Sequence, residues 1–198
     1  MRVGLFRRIG SFIVDAMPIF VILSLLFQFF VGDLLKQDNY DTMYAEYEAL
    51  RVQYFGDIEE QYANDEITLE EYQLEFNEIN PQFQDASEEQ YAVLFEYMVR
   101  VIMYNVFGFI LIYYVYSVFM KGRTLGRRLL KIELGGRVNA WTLFVREVLW
   151  KLGYWVVTFV IGGVILDVVL ISFSKKKQTL RDIVTRTYVK YEGVDYPF

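Results

Sequence analysis

The sequence predicts an all-α integral membrane protein with three to four transmembrane or re-entrant helices, an external acidic helical insert and a short cytoplasmic β-pair. Its 198 residues are 55% hydrophobic and 18% aromatic, more than one soluble domain of this size usually buries. Residues 33–97 carry eighteen Asp or Glu against Lys36 and Arg51, whereas the rest of the chain carries eighteen Lys or Arg against seven acids. Because Lys and Arg accumulate in short cytoplasmic loops, we interpret the border between these blocks as a membrane.

This charge pattern gives the predicted organisation. Residues 1–198 form one membrane domain of the multi-pass type, placed in the cell membrane. Residues 33–97 form an extracytoplasmic helical insert between the first and second transmembrane helices. The chain has no Cys and no His, so zinc, haem, iron–sulfur and His-based catalytic sites are not expected, and no cofactor is predicted. We expect neither enzymatic activity nor nucleic-acid binding.

The first transmembrane helix is predicted from about Ile9 to Gly32, long enough at ~1.5 Å per residue to cross a hydrocarbon core of roughly 30 Å. The run is too long for a secretory signal and contains Asp15. Basic residues precede it and Asp33 follows it. The N-terminus is therefore expected on the cytoplasmic side.

Aromatic and aliphatic residues recur at helical spacing in the insert: Tyr40, Tyr44, Tyr47, Leu50, Tyr54 and Ile58. A second insert helix should begin with a capping box of Thr68 and Glu71 and end at Pro81. A third should begin with a box of Ser87 and Gln90 and continue into the membrane.

The second transmembrane helix is predicted over about 99–120, joined to the segment from Glu88 as one long helix. A basic stretch follows it and marks the cytoplasm. Alternating apolar and charged residues predict a strand over Leu130–Leu134, and a second alternation over Thr185–Tyr191 predicts its pairing partner, since a lone strand is not stable.

The apolar stretch 141–173 leaves two alternatives. It contains Gly162 and Gly163 in its middle and Asp167 late, and basic residues follow it. Because those basic residues favour the cytoplasm, we prefer a segment that enters the membrane, breaks at the two glycines and returns. A single tilted span is the alternative.

Arg8 and Asp15 lie seven residues apart, which places them two turns apart on nearly the same helix face. A carboxylate in an apolar run is costly unless it is paired, protonated or hydrated, so ionisable residues there indicate function by default. The structural alternative is that Asp15 is held by a basic residue of a neighbouring helix and fixes packing. Both hypotheses stay open.

Three segments resemble the signature blocks of the RDD family of membrane proteins: Arg8–Asp15, Gly122–Leu134 and Gln178–Val189. The family is named for one Arg and two Asp, and the resemblance implies that these are Arg8, Asp15 and Asp182. Arg181 stands where that family often has His, and Arg186 where a small residue is usual. The family's members are mostly uncharacterised, and transport has been proposed for some.

These residues support two hypotheses. In the first, the protein is a small transporter coupled to H⁺ or Na⁺, in which Arg8, Asp15 and Asp182 converge near the cytoplasmic face and Asp167 and Gly162–Gly163 extend the polar site. So few helices would then require a homo-oligomer. In the second, the protein is a non-catalytic scaffold, sensor or assembly factor that binds a protein partner through residues 33–97.

A basic cluster follows the last apolar stretch and consists of Lys175, Lys176, Lys177 and Arg181. Such a cluster attracts anionic lipid headgroups of the bilayer. It also acts as a topology determinant, and both interpretations agree with a cytoplasmic C-terminus.

Overall fold

The computed structural model describes residues 3–153, 169–172 and 178–194. The chain forms two compact units. We call Met1–Leu26 together with Asn105–Phe198 the terminal unit, and Phe27–Tyr104 the central unit. In chain order the elements are α1 (Leu5–Leu26), a π-helical turn (Phe27–Val31), α2 (Gly32–Leu35), α3 (Tyr40–Ala63), α4 (Leu69–Ala86), α5 (Glu88–Phe119), α6 (Leu125–Leu129), β1 (Ile132–Gly136), α7 (Ala140–Phe144), a second π-helical turn (Val145–Leu149), α8 (Leu180–Val184) and β2 (Thr187–Tyr191).

Two helices of the described residues are long and apolar enough to cross a membrane. They are Leu5–Leu35, with 31 residues, and Glu88–Phe119, with 32. Only 28% and 17% of their most apolar windows are buried within the protein, whereas a core helix of a soluble protein would be mostly covered. The predicted union of the second transmembrane helix with the segment from Glu88 is confirmed as one continuous helix.

In the terminal unit, α1 packs against α5 through aromatic side chains and one close approach. The rings of Phe20 and Phe109 stack with centroids 5.0 Å apart. A Cβ on Gly108 would lie 2.7 Å from Leu23 Cδ2, so the absence of a side chain at Gly108 lets Leu23 bury against α5. Leu23 is almost completely covered as a result.

In the central unit, α3 and α4 pack around Phe55, Ile58 and Phe83, which are all buried. The Phe55 ring stacks on Phe76 at 4.8 Å and meets Phe83 edge-on at 5.0 Å. The helical spacing predicted for the first insert helix is confirmed. Partly buried residues complete the core: Tyr47, Leu50, Tyr54, Tyr72, Phe76 and Ile79.

The predicted helix starts of the central unit have mixed outcomes. Thr68 and Glu71 form the predicted capping box. The predicted end at Pro81 is wrong, because α4 continues through it to Ala86. The burial of Phe83 against α3 offsets the hydrogen bond that Pro81 cannot donate. The predicted box at Ser87 is also wrong, since Ser87 closes α4 and the Gln90 amide donates to Glu46 instead.

The predicted β-pair is confirmed with shifted bounds. β1 and β2 pair antiparallel, with Leu134 opposite Val189. The strand begins at Ile132 because Lys131 takes a left-handed conformation (φ 53°) after α6. Gly135 pairs within the strand, and the ring of Tyr188 occupies the space that a Cβ at this position would need. A core cluster forms around the pair: Val3, Ile132, Leu134, Leu143 and Val189.

The stretch 141–173 begins as a helix, with α7, the second π-helical turn and helical residues 150–153, and residues 169–172 are helical too. The choice between an in-and-out segment and a single span depends on Gly162, Gly163 and Asp167, which lie outside the described residues. The same holds for Lys175, Lys176 and Lys177 of the basic cluster.

The α3–α4 core makes the central unit sensitive to one side chain. Phe83→Ala is expected to destabilise it by about 3–5 kcal/mol, because truncation leaves a cavity among three aromatic rings. Hydrogen exchange over residues 40–86 of the full-length protein in detergent measures the loss. The matched control is Leu74→Ala on the same helix, 66% exposed, which should change stability by about 0.5 kcal/mol or less. Equal effects of both variants would contradict this core.

Candidate functional site: a buried network of charged side chains

Asp15 lies on the buried face of α1 and is fully covered. Its carboxylate accepts hydrogen bonds from Thr124 Oγ1 (2.6 Å), the backbone N–H of Gly126 (2.7 Å) and the hydroxyl of Tyr116 (3.3 Å). Thr124 and Gly126 begin α6, so Asp15 supplies from a distant helix the acceptor that a capping residue would normally supply. The charge therefore fixes α6 against α1.

The close approach of α6 and α1 requires Gly126. A Cβ at this position would collide with the carbonyl oxygen of Ser11 and lie 3.0 Å from the Asp15 carboxyl carbon. The glycine therefore serves helix contact, and its N–H reaches Asp15 directly. This explains why a small residue stands in the Gly122–Leu134 block.

Asp182 is the second buried acid, with no exposed surface. Its Oδ2 lies 2.9 Å from Arg8 Nη1, its Oδ1 accepts from Arg146 Nη1, and the backbone N–H of Thr179 donates to Oδ2 at 3.1 Å. The last contact belongs to a capping box at the start of α8, in which Thr179 Oγ1 accepts from the N–H of Asp182. One carboxylate thus caps its own helix and binds two guanidinium groups.

Arg146 links this centre to a third buried acid, Glu147. Arg146 Nη1 also donates to Thr187 Oγ1 of β2 at 2.7 Å, and its Nε lies 3.5 Å from Glu147 Oε1. Glu147 in turn lies 3.2 Å from Arg127 Nη2 and 3.3 Å from Lys151 Nζ. We call this set the buried charge chain; its members are Arg8, Asp182, Arg146, Glu147, Arg127 and Lys151.

Electrostatics keep the Asp182 carboxylate ionised. Burial by itself would raise the pKa of Asp182, but the positive charges of Arg146 and Arg8 outweigh it and hold the pKa below its ordinary range. A carboxyl group with a lowered pKa stabilises the fold above its unfolded pKa of about 3.9, and that stabilisation is lost as the pH falls through the folded pKa. The interaction is therefore fully present at neutral pH.

The structure brings two of the three family residues together. Arg8 and Asp182 form an ion pair in which Asp182 is fully buried. The expectation of one cluster of Arg8, Asp15 and Asp182 is wrong, because Asp15 is satisfied by Thr124, Gly126 and Tyr116. Asp15 lies two turns further along α1 than Arg8, and at that level of the helix the start of α6 packs against it.

The sequence interpretation missed the partners of these acids. Arg146, Glu147 and Lys151 lie early in the apolar stretch 141–173, and three charged residues in such a stretch are a signal of buried ion pairs. The Thr179-x-x-Asp182 spacing of a capping box was also visible in the sequence. Arg127 carried no such signal, since it stands within a basic loop. Among the residues that the structure describes, no group of three or more potential ligands could hold a metal ion.

Removing the Asp182 charge should deprive the buried guanidinium groups of Arg8 and Arg146 of the carboxylate that they share. Asp182→Asn is expected to destabilise the protein by about 3–5 kcal/mol, measured by chemical unfolding in detergent. Arg8→Gln together with Asp182→Asn should cost less than the sum of the single changes, because each single change already breaks their contact. Asp85→Asn on exposed helix surface is the matched control and should be nearly neutral.

Asp15 provides the opposite comparison. Asp15→Asn combined with Asp182→Asn should be additive to within about 0.5 kcal/mol, because the two acids share no hydrogen-bond partner in the described part of the chain. Strong coupling between Asp15 and Asp182, or additive losses for Arg8 and Asp182, would contradict the two separate centres.

A comparison with curated proteins and with solved structures gives no match. A comparison with protein families does: the model of the RDD family matches residues 2–186. This range includes Arg8, the three buried acids and the two apolar helices. The family and the two helices together indicate a membrane protein. Since the match covers nearly the whole chain, the protein belongs to the RDD family.

Proposed function

We propose that this protein is a small ion-coupled transporter of the cell membrane, with protons as the coupling ion. The observation that carries the proposal is the buried charge chain, in which acids and bases alternate from Arg8 to Lys151 in a protein of apolar helices. Ionisable side chains inside membrane proteins mark substrate pathways and proton relays.

The ion pairs favour H⁺ over Na⁺. A sodium ion is held by several oxygen ligands, yet the guanidinium groups of Arg8 and Arg146 flank Asp182 and would repel a metal cation there. Glu147 and Lys151 form a close ion pair, and the Lys151 ammonium makes no aligned hydrogen bond within the described residues. A pair of this kind can exchange a proton when its surroundings change.

The proposed topology follows the charge pattern. The N-terminus, residues 121–140 and the C-terminus lie in the cytoplasm, and residues 33–97 lie outside. The buried charge chain then lies at the cytoplasmic end of α1, where Arg8 begins the helix. With so few helices, a transporting protein should be a homo-oligomer.

A second function is favoured by the central unit. This unit has a hydrophobic core of its own, and its net charge is strongly negative. Such a unit suits a scaffold or assembly factor that binds a basic protein partner outside the membrane. Under this alternative the buried charge chain serves only to hold the helices together.

Single-Cys labelling tests the topology, because the chain has no native Cys. Asn64→Cys should react with a membrane-impermeant maleimide in intact cells. Arg137→Cys should react only after the membrane is permeabilised, since it lies in the basic cytoplasmic region. The reverse pattern would contradict the proposed orientation.

Reconstitution into liposomes tests the transport function. With a pH gradient and a pH dye inside, the wild type should dissipate the gradient faster than empty liposomes, in the absence of Na⁺. Glu147→Gln should reduce this flux to the level of empty liposomes, because it removes the carboxylate of the proposed Glu147–Lys151 proton-exchange pair. Asp85→Asn is the control and should behave as wild type.

Two outcomes would count against proton-coupled transport. Wild-type flux equal to that of empty liposomes favours the scaffold function. Flux that persists in Glu147→Gln, in a variant that elutes and melts as a folded protein, removes Glu147 from the pathway.

A further inference from the structure

The buried charge chain holds more positive than negative charges. Four cationic side chains share two carboxylates, and the contacts among them are Arg8–Asp182, Arg146–Asp182, Arg146–Glu147, Arg127–Glu147 and Lys151–Glu147. Arg181 adds another cation within electrostatic reach of Glu147 and Lys151. Asp15 is within reach of Arg127 and lowers the surplus without removing it. An uncompensated charge inside a protein is expensive, so the surplus calls for an anion.

Donor groups without acceptors occur in the same place. Arg146 is 1% exposed, yet its Nε has no hydrogen-bond partner in the described residues. Arg181 Nε and Lys151 Nζ are also covered atoms without a hydrogen-bond partner, although these two residues are half-buried as a whole. A buried donor left without an acceptor costs about 1–3 kcal/mol, more if it is charged, and such groups are rare in native proteins. Two of these donors lie beside Glu147 and the third is within electrostatic reach of it, which indicates a missing acceptor with several oxygen atoms.

The surroundings of Lys151 fit the same interpretation. Its ammonium lies 3.3 Å from the centroid of the Tyr113 ring and 5.2 Å from that of Phe109, so aromatic faces cover one side of it. Glu147 Oε2 lies 3.3 Å away on another side without forming an aligned hydrogen bond. An ammonium has three donors. The ion pair with Glu147 therefore leaves at least two of them without an acceptor within the described residues.

We propose that Arg146, Lys151 and Arg181 form a binding site for a tetrahedral oxyanion, a phosphate group. Guanidinium and ammonium groups together are the usual recognition elements for phosphate, since the guanidinium donates in a planar fork and the ammonium acts as a point charge. The phosphate belongs either to free inorganic phosphate or to the headgroup of an anionic lipid. The site rests on these contacts alone and does not require that the protein transports anything.

Binding to the purified full-length protein tests the site and separates the two sources. In the first arm, nanodiscs of neutral phosphatidylcholine receive inorganic phosphate, with chloride at equal ionic strength as the reference. In the second arm, nanodiscs contain phosphatidylglycerol and the buffer contains no phosphate. The readout is the melting temperature, which a ligand of the folded state raises in proportion to ln(1 + [L]/Kd).

The wild type should show a saturable rise in melting temperature in at least one arm. A response to inorganic phosphate identifies a soluble anion, and a response to phosphatidylglycerol alone identifies a lipid headgroup. Arg181→Gln should lose the response or weaken the apparent affinity at least about tenfold, equivalent to 1.4 kcal/mol. The matched control is Arg137→Gln, an exposed arginine with no assigned contact, which should respond as wild type.

The behaviour of Arg181→Gln without any anion separates this site from a merely structural arginine. Because the change removes a surplus, half-buried cation whose Nε is covered and has no partner, the variant should melt at the same temperature as wild type or higher when no phosphate is present. A lower melting temperature with an unchanged phosphate response would overturn the proposal. So would a wild type that responds in neither arm.

Discussion

The Asp182 carboxylate holds together segments that are far apart in the sequence. It binds Arg8 at the start of α1 and Arg146 in the π-helical turn after α7, and it caps α8 through Thr179. Arg146 continues the contact to Thr187 of β2. Because each guanidinium is buried, none of these elements could leave the group without exposing an unpaired charge to a poorly solvated interior. The N-terminal helix, the C-terminal helix and the β-pair are therefore fixed by one acid.

Asp15 performs a different task with the same functional group. It makes no ion pair among the described residues, and it accepts from a hydroxyl, a backbone N–H and a phenol instead. Two of these donors belong to the start of α6, so the carboxylate acts as a helix cap supplied by another helix. Gly126 is needed because the backbone must come close to α1 for this bond to form. Asp15 thus anchors the start of α6, in the Gly122–Leu134 block. Asp182 anchors the C-terminal block that contains it.

The contrast between satisfied and unsatisfied groups guides the functional proposals. Asp15 and Asp182 accept enough hydrogen bonds to be permanent parts of the framework. Glu147 and Lys151 are buried and paired, but the ammonium lacks an aligned acceptor, and Arg146 and Arg181 each retain an unused donor. Buried charged groups that lack a hydrogen-bond partner are the ones at which a proton can be exchanged or an anion can bind. We therefore expect proton exchange or anion binding at Glu147 and Lys151, and not at the two aspartates.

The sequence by itself determined the local elements. Apolar runs, helical spacing of Tyr and Leu, and alternation in the two strands are short-range patterns, and they correctly predicted the two long apolar helices, the α3–α4 core and the β-pair. The resemblance to the RDD family singled out Asp15 and Asp182 as candidate site residues. The continuation of α4 through Pro81 depends on the burial of Phe83 against α3. The sequence near Pro81 does not reveal this contact, because Phe55 and Ile58 of α3 lie more than twenty residues away.

Only the tertiary structure decided which charges meet. Asp15 was expected beside Arg8 because both lie on one face of α1, yet its partners Thr124 and Gly126 are more than a hundred residues away. Arg146 and Glu147 have their partners 36 and 20 residues away, at Asp182 and Arg127. Helical spacing predicts which side chains share a face, but the element that packs against that face sets their contacts. For buried charges that choice is decisive, because each must find a partner within about 4 Å or pay the cost of desolvation.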